Sequence, residues 1–367
     1  NKHNMKFKTE TTVLREALNK LGFAVNPKAL LPALTNILAE VKPGSVTLTS
    51  SDMQISIQYN IICETEGEGE FLFPYAEMKS IVALEDGAAS ISFTEEEGCI
   101  ATFDKDVFNF GKEAAKDFPR FKTIAESKLQ PISKDVLTAI KMASLSVSKD
   151  ELRPAMMRVC LELSNEKITV VATDSHCMYV QQIASENKIE ETTELLLPAV
   201  ISKVLDGELY DVELGFNKNT IAFKFGPIKI TAIRGEGKFP NWRAVMPEHV
   251  QCLSVGIDAL KDAVNKAYVV SDSTYNGIDF KLSENNLLIE TKNIDSGMGC
   301  AINVEAQSTS QVNHVRFNGR LLKRMIAQLD SSDALLSFSI ATPTKPVTIR
   351  VEGVENTTVL IMPITIQ

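Results

Sequence analysis

The sequence contains no apolar run near the roughly 18 residues that a membrane-spanning helix needs. Nor does it open with the charged, apolar and small-residue blocks of a secretory signal. Its six cysteines, Cys63, Cys99, Cys160, Cys177, Cys252 and Cys300, are scattered and include no C-x-x-C pair. That spacing argues against a zinc or disulfide framework, and a chain of 367 residues needs no covalent staple. We read them as reduced thiols of a cytoplasmic protein. Histidine is scarce. His3, His176, His249 and His314 form neither an H-E-x-x-H motif nor a pair at ligand spacing, so no metal site is expected. "RGEGKF" at 234–239 lacks the spacing of a phosphate loop and the Ser/Thr that should follow Lys238, and it reads as a tight turn. The run Glu95-Glu96-Glu97 reads as a solvated hairpin turn. No cofactor is expected. Positive charge is also in deficit: the net charge of -9 argues against a protein that simply coats nucleic acid. It does not exclude a local basic surface, because net charge says nothing about placement.

What is present is an ordinary soluble composition, 44% hydrophobic and 23% charged, long enough for two or three domains. The first four residues, "NKHN", precede Met5 and read as a cloning remnant outside the fold. From there the chain repeats itself. "VLREALNKL" (13–21), "VLTAIKMAS" (136–144) and "ALKDAVNKA" (259–267) place Leu14, Leu137 and Leu260 at intervals of 123 residues. Each has an apolar face at helical spacing: Leu14, Ala17, Leu18 and Leu21; Leu137 and Ile140; Leu260, Ala263, Val264 and Ala267. Thr12, Ser133 and Asp258 stand near the helix starts as caps. A strand pair follows each helix, broken by Pro43-Gly44, Ser164-Asn165 and Glu284-Asn285-Asn286. Asp52, Asp174 and Asn293 close the second strand at matching positions. A second helix comes next ("FPYAEMKSIVAL", "LPAVISKVL", "FNGRLLKRMIAQL"), then further alternating strands. The expected fold is therefore α+β, three tandem copies of one domain with helices on one face of antiparallel sheets. The expected bounds are 5–127, 128–250 and 251–367.

"VATDSHCMYV" (171–180) sets Asp174, Ser175, His176 and Cys177 side by side, the residue types of a nucleophilic hydrolase. The repeat gives it another meaning. It is the second copy of "TLTSSDMQIS" and "IETKNIDSGM", a strand running into a turn, and those copies fill the slot without Ser-His or Cys. A nucleophile also needs a base positioned by the fold, and adjacent strand side chains point to opposite faces. The hydrolase remains the alternative reading. A monomeric repeat scaffold with no DNA role is a third.

Three such copies, with "MKF" at 5–7, "LLPALTNIL" (30–38), "ELRPAM" (151–156), "VATDSH", "KFPNWRAVMP" (238–247) and "VLIMPI" (359–364), resemble the bacterial DNA sliding clamp, the beta subunit of DNA polymerase III. The resemblance covers Met5 to Gln367. It implies a non-enzymatic processivity factor, a head-to-tail homodimeric ring around duplex DNA with helices lining the hole. It implies no cofactor and no membrane. It implies a cleft that takes short linear motifs of the replicative polymerase, the clamp loader and repair proteins.

On the second helices Lys79, Lys203 and Lys323 each fall five residues after an aligned Pro or Asn, and Arg320 and Arg324 enrich the third copy. On the first helices Arg15 and Lys261 share one slot, Lys20 and Lys266 another, with Lys141 on the second copy. Lysine on a helix is ordinarily solubilising. In a ring these faces line the hole, and phosphate contacts carry no base information, which suits sliding. The resemblance adds the loop positions Lys28, Lys149, Asp150, Arg153 and Pro154 as duplex contacts. It assigns the cleft to Met156, Thr173, Ser175, His176, Cys177, Met178, Pro240, Ala244, Val245, Leu321, Pro346, Leu360, Met362, Pro363 and Ile364. It assigns the dimer interface to Phe108 and Phe110 on one side and Val269, Val270 and Tyr275 on the other. Common clamps carry Gly at the Ser175 position and Arg at the Cys177 and Ala244 positions, so a less basic cleft rim is expected here.

Overall fold

The computed structural model describes residues 4–122, 124–125, 128–185, 192–205, 211–329 and 332–365. Most of the expected cloning remnant and the expected boundary at residue 127 lie outside them. Among the described residues no helix is long and apolar enough to cross a membrane. There are six α-helices among them: α1 (Thr11–Leu21), α2 (Tyr75–Val82), α3 (Lys134–Ser144), α4 (Ile201–Val204), α5 (Ile257–Val270) and α6 (Gly319–Ala327). The expected apolar faces are the buried ones. Leu14, Ala17, Leu18 and Leu21 are buried in α1, Leu137 and Ile140 in α3, and Leu260, Ala263, Val264 and Ala267 in α5. Two expected caps are corrected. Thr12 lies inside α1, because the extended residue before that helix is Glu10, the end of the preceding strand. Asp258 lies in the first turn of α5 after the extended Gly256, where its charge favours the helix dipole instead of capping the end.

The chain divides into two compact units, 1–134 with 200–234 and 135–199 with 235–367. The division passes through the middle repeat, and the sheets give the reason. The first unit holds a five-stranded sheet in the spatial order Glu64–Glu66, Met5–Glu10, Ala88–Thr94, Gly98–Phe103, Asp106–Asn109. It also holds an eight-stranded sheet in which Ile228–Ile233 pairs antiparallel with Ile55–Ile62, setting Ile230 opposite Ile57. The second unit holds a twelve-stranded sheet in which Cys177–Ala184 pairs antiparallel with Thr357–Ile361, setting Met178 opposite Leu360. Strands far apart in sequence thus satisfy each other's backbone groups at what would otherwise be open sheet edges.

The turns that close the second strands share a device. Asp52 Oδ1 accepts from the amides of Gln54 and Ile55 at 2.9 and 2.8 Å. Asp174 Oδ1 accepts from those of His176 and Cys177 at 3.0 and 2.9 Å. Met53 and Ser175 both adopt φ 74°, a left-handed conformation in which a side chain is strained. In the third copy Asn293 Oδ1 accepts from Ser296 at 3.2 Å and the positive φ falls on Gly297.

In the second unit His249 is fixed between two hydroxyls, with Nδ1 2.8 Å from Thr348 Oγ1 and Nε2 2.9 Å from Ser337 Oγ. Burial, aided by the Arg350 charge, pushes the imidazole down from 6.5 to about 4. The unfolded chain therefore binds a proton that the folded one refuses between those values. This contribution to stability is whole above pH 6.5 and is lost as pH falls toward 4. We expect urea midpoints at pH ~7 and ~4.5 to fall further apart for the wild type than for His249→Gln, which cannot titrate. An equal fall in the two proteins would refute the assignment.

Candidate functional site

Within the second unit, the hairpin turn after Lys167–Thr173, the loop 147–153, the first turns of α6 and the tail after Thr357–Ile361 surround a cleft of about 720 Å³. Ser175, His176, Leu321, Met362, Pro363 and Ile364, six of the residues that the resemblance assigns to a peptide cleft, line it. The tail is held by its backbone. Met362 N donates to His176 O at 2.8 Å, and Ile364 N to Arg316 O at 2.9 Å. Arg316 is itself held by a two-pronged contact to Asp279 at 2.9 and 2.8 Å, so the tail rests on a fixed support.

The other residues assigned to the cleft lie elsewhere in the same unit. Met156, Cys177, Met178 and Leu360 are buried. Met178 and Leu360 pack into a core cluster with Val171, Phe239 and Trp242. They are inward neighbours in adjacent strands, so Met178, which the resemblance assigns to the cleft, is packed in the core. Thr173 is half-buried, and its hydroxyl donates to Cys177 O at 2.7 Å across the hairpin. Pro240, Ala244 and Val245 stand on the loop around the 3-10 turn Trp242–Ala244, with Val245 57% exposed. Half-buried Pro346 precedes the strand Val347–Val351. None of these residues lines the cleft. The 240–246 loop is anchored by Glu162, which accepts from Trp242 Nε1 at 2.8 Å and from both terminal nitrogens of Arg243 at 3.0 and 2.6 Å. The Arg243 guanidinium also lies 4.2 Å from the Trp242 ring centroid.

Arg324 was read as a channel cation, and the structure turns it into the cleft wall. Its Nη2 donates to Asp174 Oδ2 at 2.6 Å and to Cys177 Sγ at 2.5 Å, and its side chain is 24% exposed. The Cys177 thiol in turn donates to Asp174 Oδ1 at 3.2 Å. Burial, followed by the Asp174 charge, pushes this thiol up to about 12, so it stays protonated. Burial also acts to raise the Asp174 carboxyl, but Arg324 and the Cys177 amide outweigh it and hold the group below its ordinary value. A protonated thiol beside a carboxylate fully engaged in hydrogen bonds is poor nucleophilic chemistry. Among the described residues no cluster of three or more His, Cys, Asp or Glu is placed to hold a metal.

The remaining expected cations divide between the units. In the first unit Lys20, Lys79 and Lys203 line one hollow of about 490 Å³ together with Tyr75 and Gly22. A Cβ on Gly22 would lie 1.9 Å from the Tyr75 hydroxyl, so the glycine admits that ring. Lys79 Nζ donates to the same hydroxyl at 3.0 Å, and Lys20 Nζ reaches Val204 O at the end of α4 at 3.4 Å. Lys28 is exposed on the loop after α1. Arg15 is a second correction. Its guanidinium donates to Val82 O at 3.2 and 2.9 Å and to Glu85 O at 2.8 Å, so it closes the C-terminal end of α2. In the second unit Lys141 is exposed on α3, and Lys261 is half-buried on α5. Lys266 pairs with Asp262 at 2.5 Å, and Lys323 Nζ stands 4.6 Å from the Tyr268 ring centroid. Lys149, Arg153 and Arg320 line the cleft, with Arg153 3.5 Å from Asp150. Pro154 is exposed beside them.

The residues assigned to the dimer interface sit at sheet edges and helix ends. Phe108 and Phe110 are half-buried, and Phe108 meets Phe103 edge-on at 6.0 Å. Asp106–Asn109 is the last strand of its sheet. Val269 is 78% and Tyr275 68% exposed, and Val270 is half-buried.

Models of the DNA polymerase III beta subunit match in tandem: the N-terminal domain at residues 5–122, the central domain at 132–241 and the C-terminal domain at 243–365. The beta sliding clamp of Staphylococcus aureus (strain Mu50 / ATCC 700699) is 24% identical, over 98% of this chain and 99% of its own length. The beta sliding clamp of Staphylococcus epidermidis is likewise 24% identical over the same shares. Two solved structures share the fold. The sliding clamp of Bartonella birtlesii bound to griselimycin aligns at TM-score 0.91 and 21% identity, covering 99% of this chain and 100% of that one. The DNA polymerase sliding clamp of Bacillus subtilis aligns at TM-score 0.89 and 20% identity with the same coverage. With three consecutive domains matched in order, the chain belongs to the family of the DNA polymerase III beta subunit, the bacterial sliding clamp.

Proposed function

We propose that the protein is a DNA sliding clamp. Two copies close around duplex DNA and tether the replicative polymerase, the clamp loader and repair proteins by short peptides in the cleft. Tethering raises the local concentration of the polymerase at its template without any bond being made or broken. The protein therefore acts in the cytoplasm without a catalytic residue, metal or cofactor. The observation that carries this reading is the convergence of Lys20, Lys79 and Lys203 on one hollow of a chain whose net charge is -9. Such a local cationic surface binds phosphate without reading sequence. The domains of this reading are 5–127, 128–250 and 251–367. After loading, the protein should remain on circular DNA and slide off the same DNA once linearised. Equal retention on both forms would refute encirclement.

Ring closure would be heterologous, joining different surfaces of two copies. Two open edges suit it. Asp106–Asn109 ends its sheet, and its Val107 is 64% exposed. The strand Gly299–Ser308 is paired along one side from Gly299 to Glu305, but on its other side only at Ala306–Ser308. Val107→Asp should therefore convert a dimer near twice 40.4 kDa into folded monomer, because it buries a charge in the seam and touches no core. Phe108→Asp should do the same with some loss of stability, since that ring also packs on Phe103. A Val107→Asp protein that stays dimeric by light scattering would place the seam elsewhere.

A further inference from the structure

The cleft is a basic site in an acidic protein. Among the described residues its lining includes Lys149, Arg153, Arg320 and Arg324 against two carboxylates, Asp150 and Asp174. Both carboxylates are occupied already, Asp150 by Arg153 at 3.5 Å and Asp174 by Arg324 at 2.6 Å. The cation most enclosed by the cleft wall is Arg324. Asp174 cannot satisfy all of it, because Oδ1 of that carboxylate is taken by two backbone amides and the Cys177 thiol. A guanidinium presents five N–H groups. Among the described residues only Nη2 of Arg324 finds acceptors, and the Nε–H is buried without one. A partly desolvated, incompletely paired cation on the wall of a cleft seeks an anionic acceptor.

We propose that Arg324 is a specificity-determining residue that selects a carboxylate in the bound peptide. The apolar side chains of that peptide rest on Leu321, Met362 and Pro363, and an acidic side chain or the peptide's own terminal carboxylate meets the guanidinium. The cation is thus supplied from α6, beside the buried Cys177 thiol, and the expectation of a less basic rim does not hold for this wall of the cleft. The inference rests on the peptide cleft proposed above.

The test is a fluorescence-anisotropy titration of the full-length protein with three peptides sharing the same apolar anchors. One carries Asp and an amidated end, one Asn and an amidated end, and one Asn and a free carboxylate. The wild type should bind at least one carboxylate peptide about tenfold more tightly than the amidated Asn peptide, the size expected of one charged hydrogen bond. The peptide that gains identifies the source of the carboxylate. In Arg324→Gln the preference should vanish, the carboxylate peptides falling to the affinity that the amidated Asn peptide has for the same variant. In Asp174→Asn, which keeps the turn acceptor and releases the guanidinium from its internal partner, the preference should widen. The inference is overturned if the wild type shows no preference, if the preference survives Arg324→Gln, if all three peptides weaken equally in that variant, or if Asp174→Asn leaves the preference unchanged or narrows it. Failure of every peptide to bind the wild type would instead remove the cleft reading, and this inference with it.

Discussion

With Lys79, Lys203 and Lys323 all replaced by glutamate, the protein should lose its hold on DNA while its dimer mass stays unchanged. Lys79 and Lys203 face one hollow in the first unit, and Lys323 is splayed over Tyr268 in the second. None of the three is locked in an ion pair among the described residues. Each is therefore available to replace a counterion on a phosphate. Every such contact contributes about 0.9 to the slope of log K against log salt on duplex DNA, so removing three should flatten that slope by about 2.7. Added repulsion from the glutamates should bring the loss of affinity at moderate salt to the order of a hundredfold. Arg15 is excluded from the set because it closes the end of α2, and Arg324 because it faces the cleft. Titrations at several salt concentrations on primed circular DNA would measure the slope. An unchanged slope would mean that these helix faces do not meet the duplex.

The periodicity of the helices was legible because burial follows local spacing. Leu14, Leu137 and Leu260 recur at one interval and are buried alike. The shared turn was legible too, in that Asp52 and Asp174 occupy one slot and make the same pair of amide contacts. The division into two compact units was not. It depends on Ile228–Ile233 finding Ile55–Ile62 and on Cys177–Ala184 finding Thr357–Ile361, pairings whose register no local pattern encodes. For the same reason Arg324 looked like one more lysine-type cation on a helix. Only the approach of the 174–177 turn to α6 gives it Asp174 as a partner. Cys177 and Met178 point to opposite faces of one strand, so alternation alone would leave one of them open. Both are buried because Arg324 of α6 meets Cys177 on one face while Trp242 and Leu360 pack on Met178 on the other, contacts between segments far apart in sequence.

Met362→Ala should weaken binding of a polymerase-derived clamp-binding peptide about thirtyfold, while dimer mass and retention on circular DNA remain at wild-type values. Met362 lines the cleft with its side chain half-buried, whereas its position is set by backbone bonding to His176 O at 2.8 Å. Truncation therefore removes apolar contact and leaves the tail in place. Loss of a buried anchor contact at a hot spot costs about 2 kcal/mol or more, which is the thirtyfold effect. Met178→Ala makes the contrast. That side chain is 2% exposed and packs with Trp242 and Leu360, so its truncation leaves a cavity, with a cost of about 2–5 kcal/mol in folding stability. Met178→Ala should thus lower the urea midpoint, and Met362→Ala should leave it nearly unchanged. A fluorescent-peptide titration set beside a urea melt of each variant separates the two effects. If Met362→Ala binds the peptide as tightly as wild type, peptides do not enter this cleft, and the turn at Asp174–Cys177 serves only to join two strands.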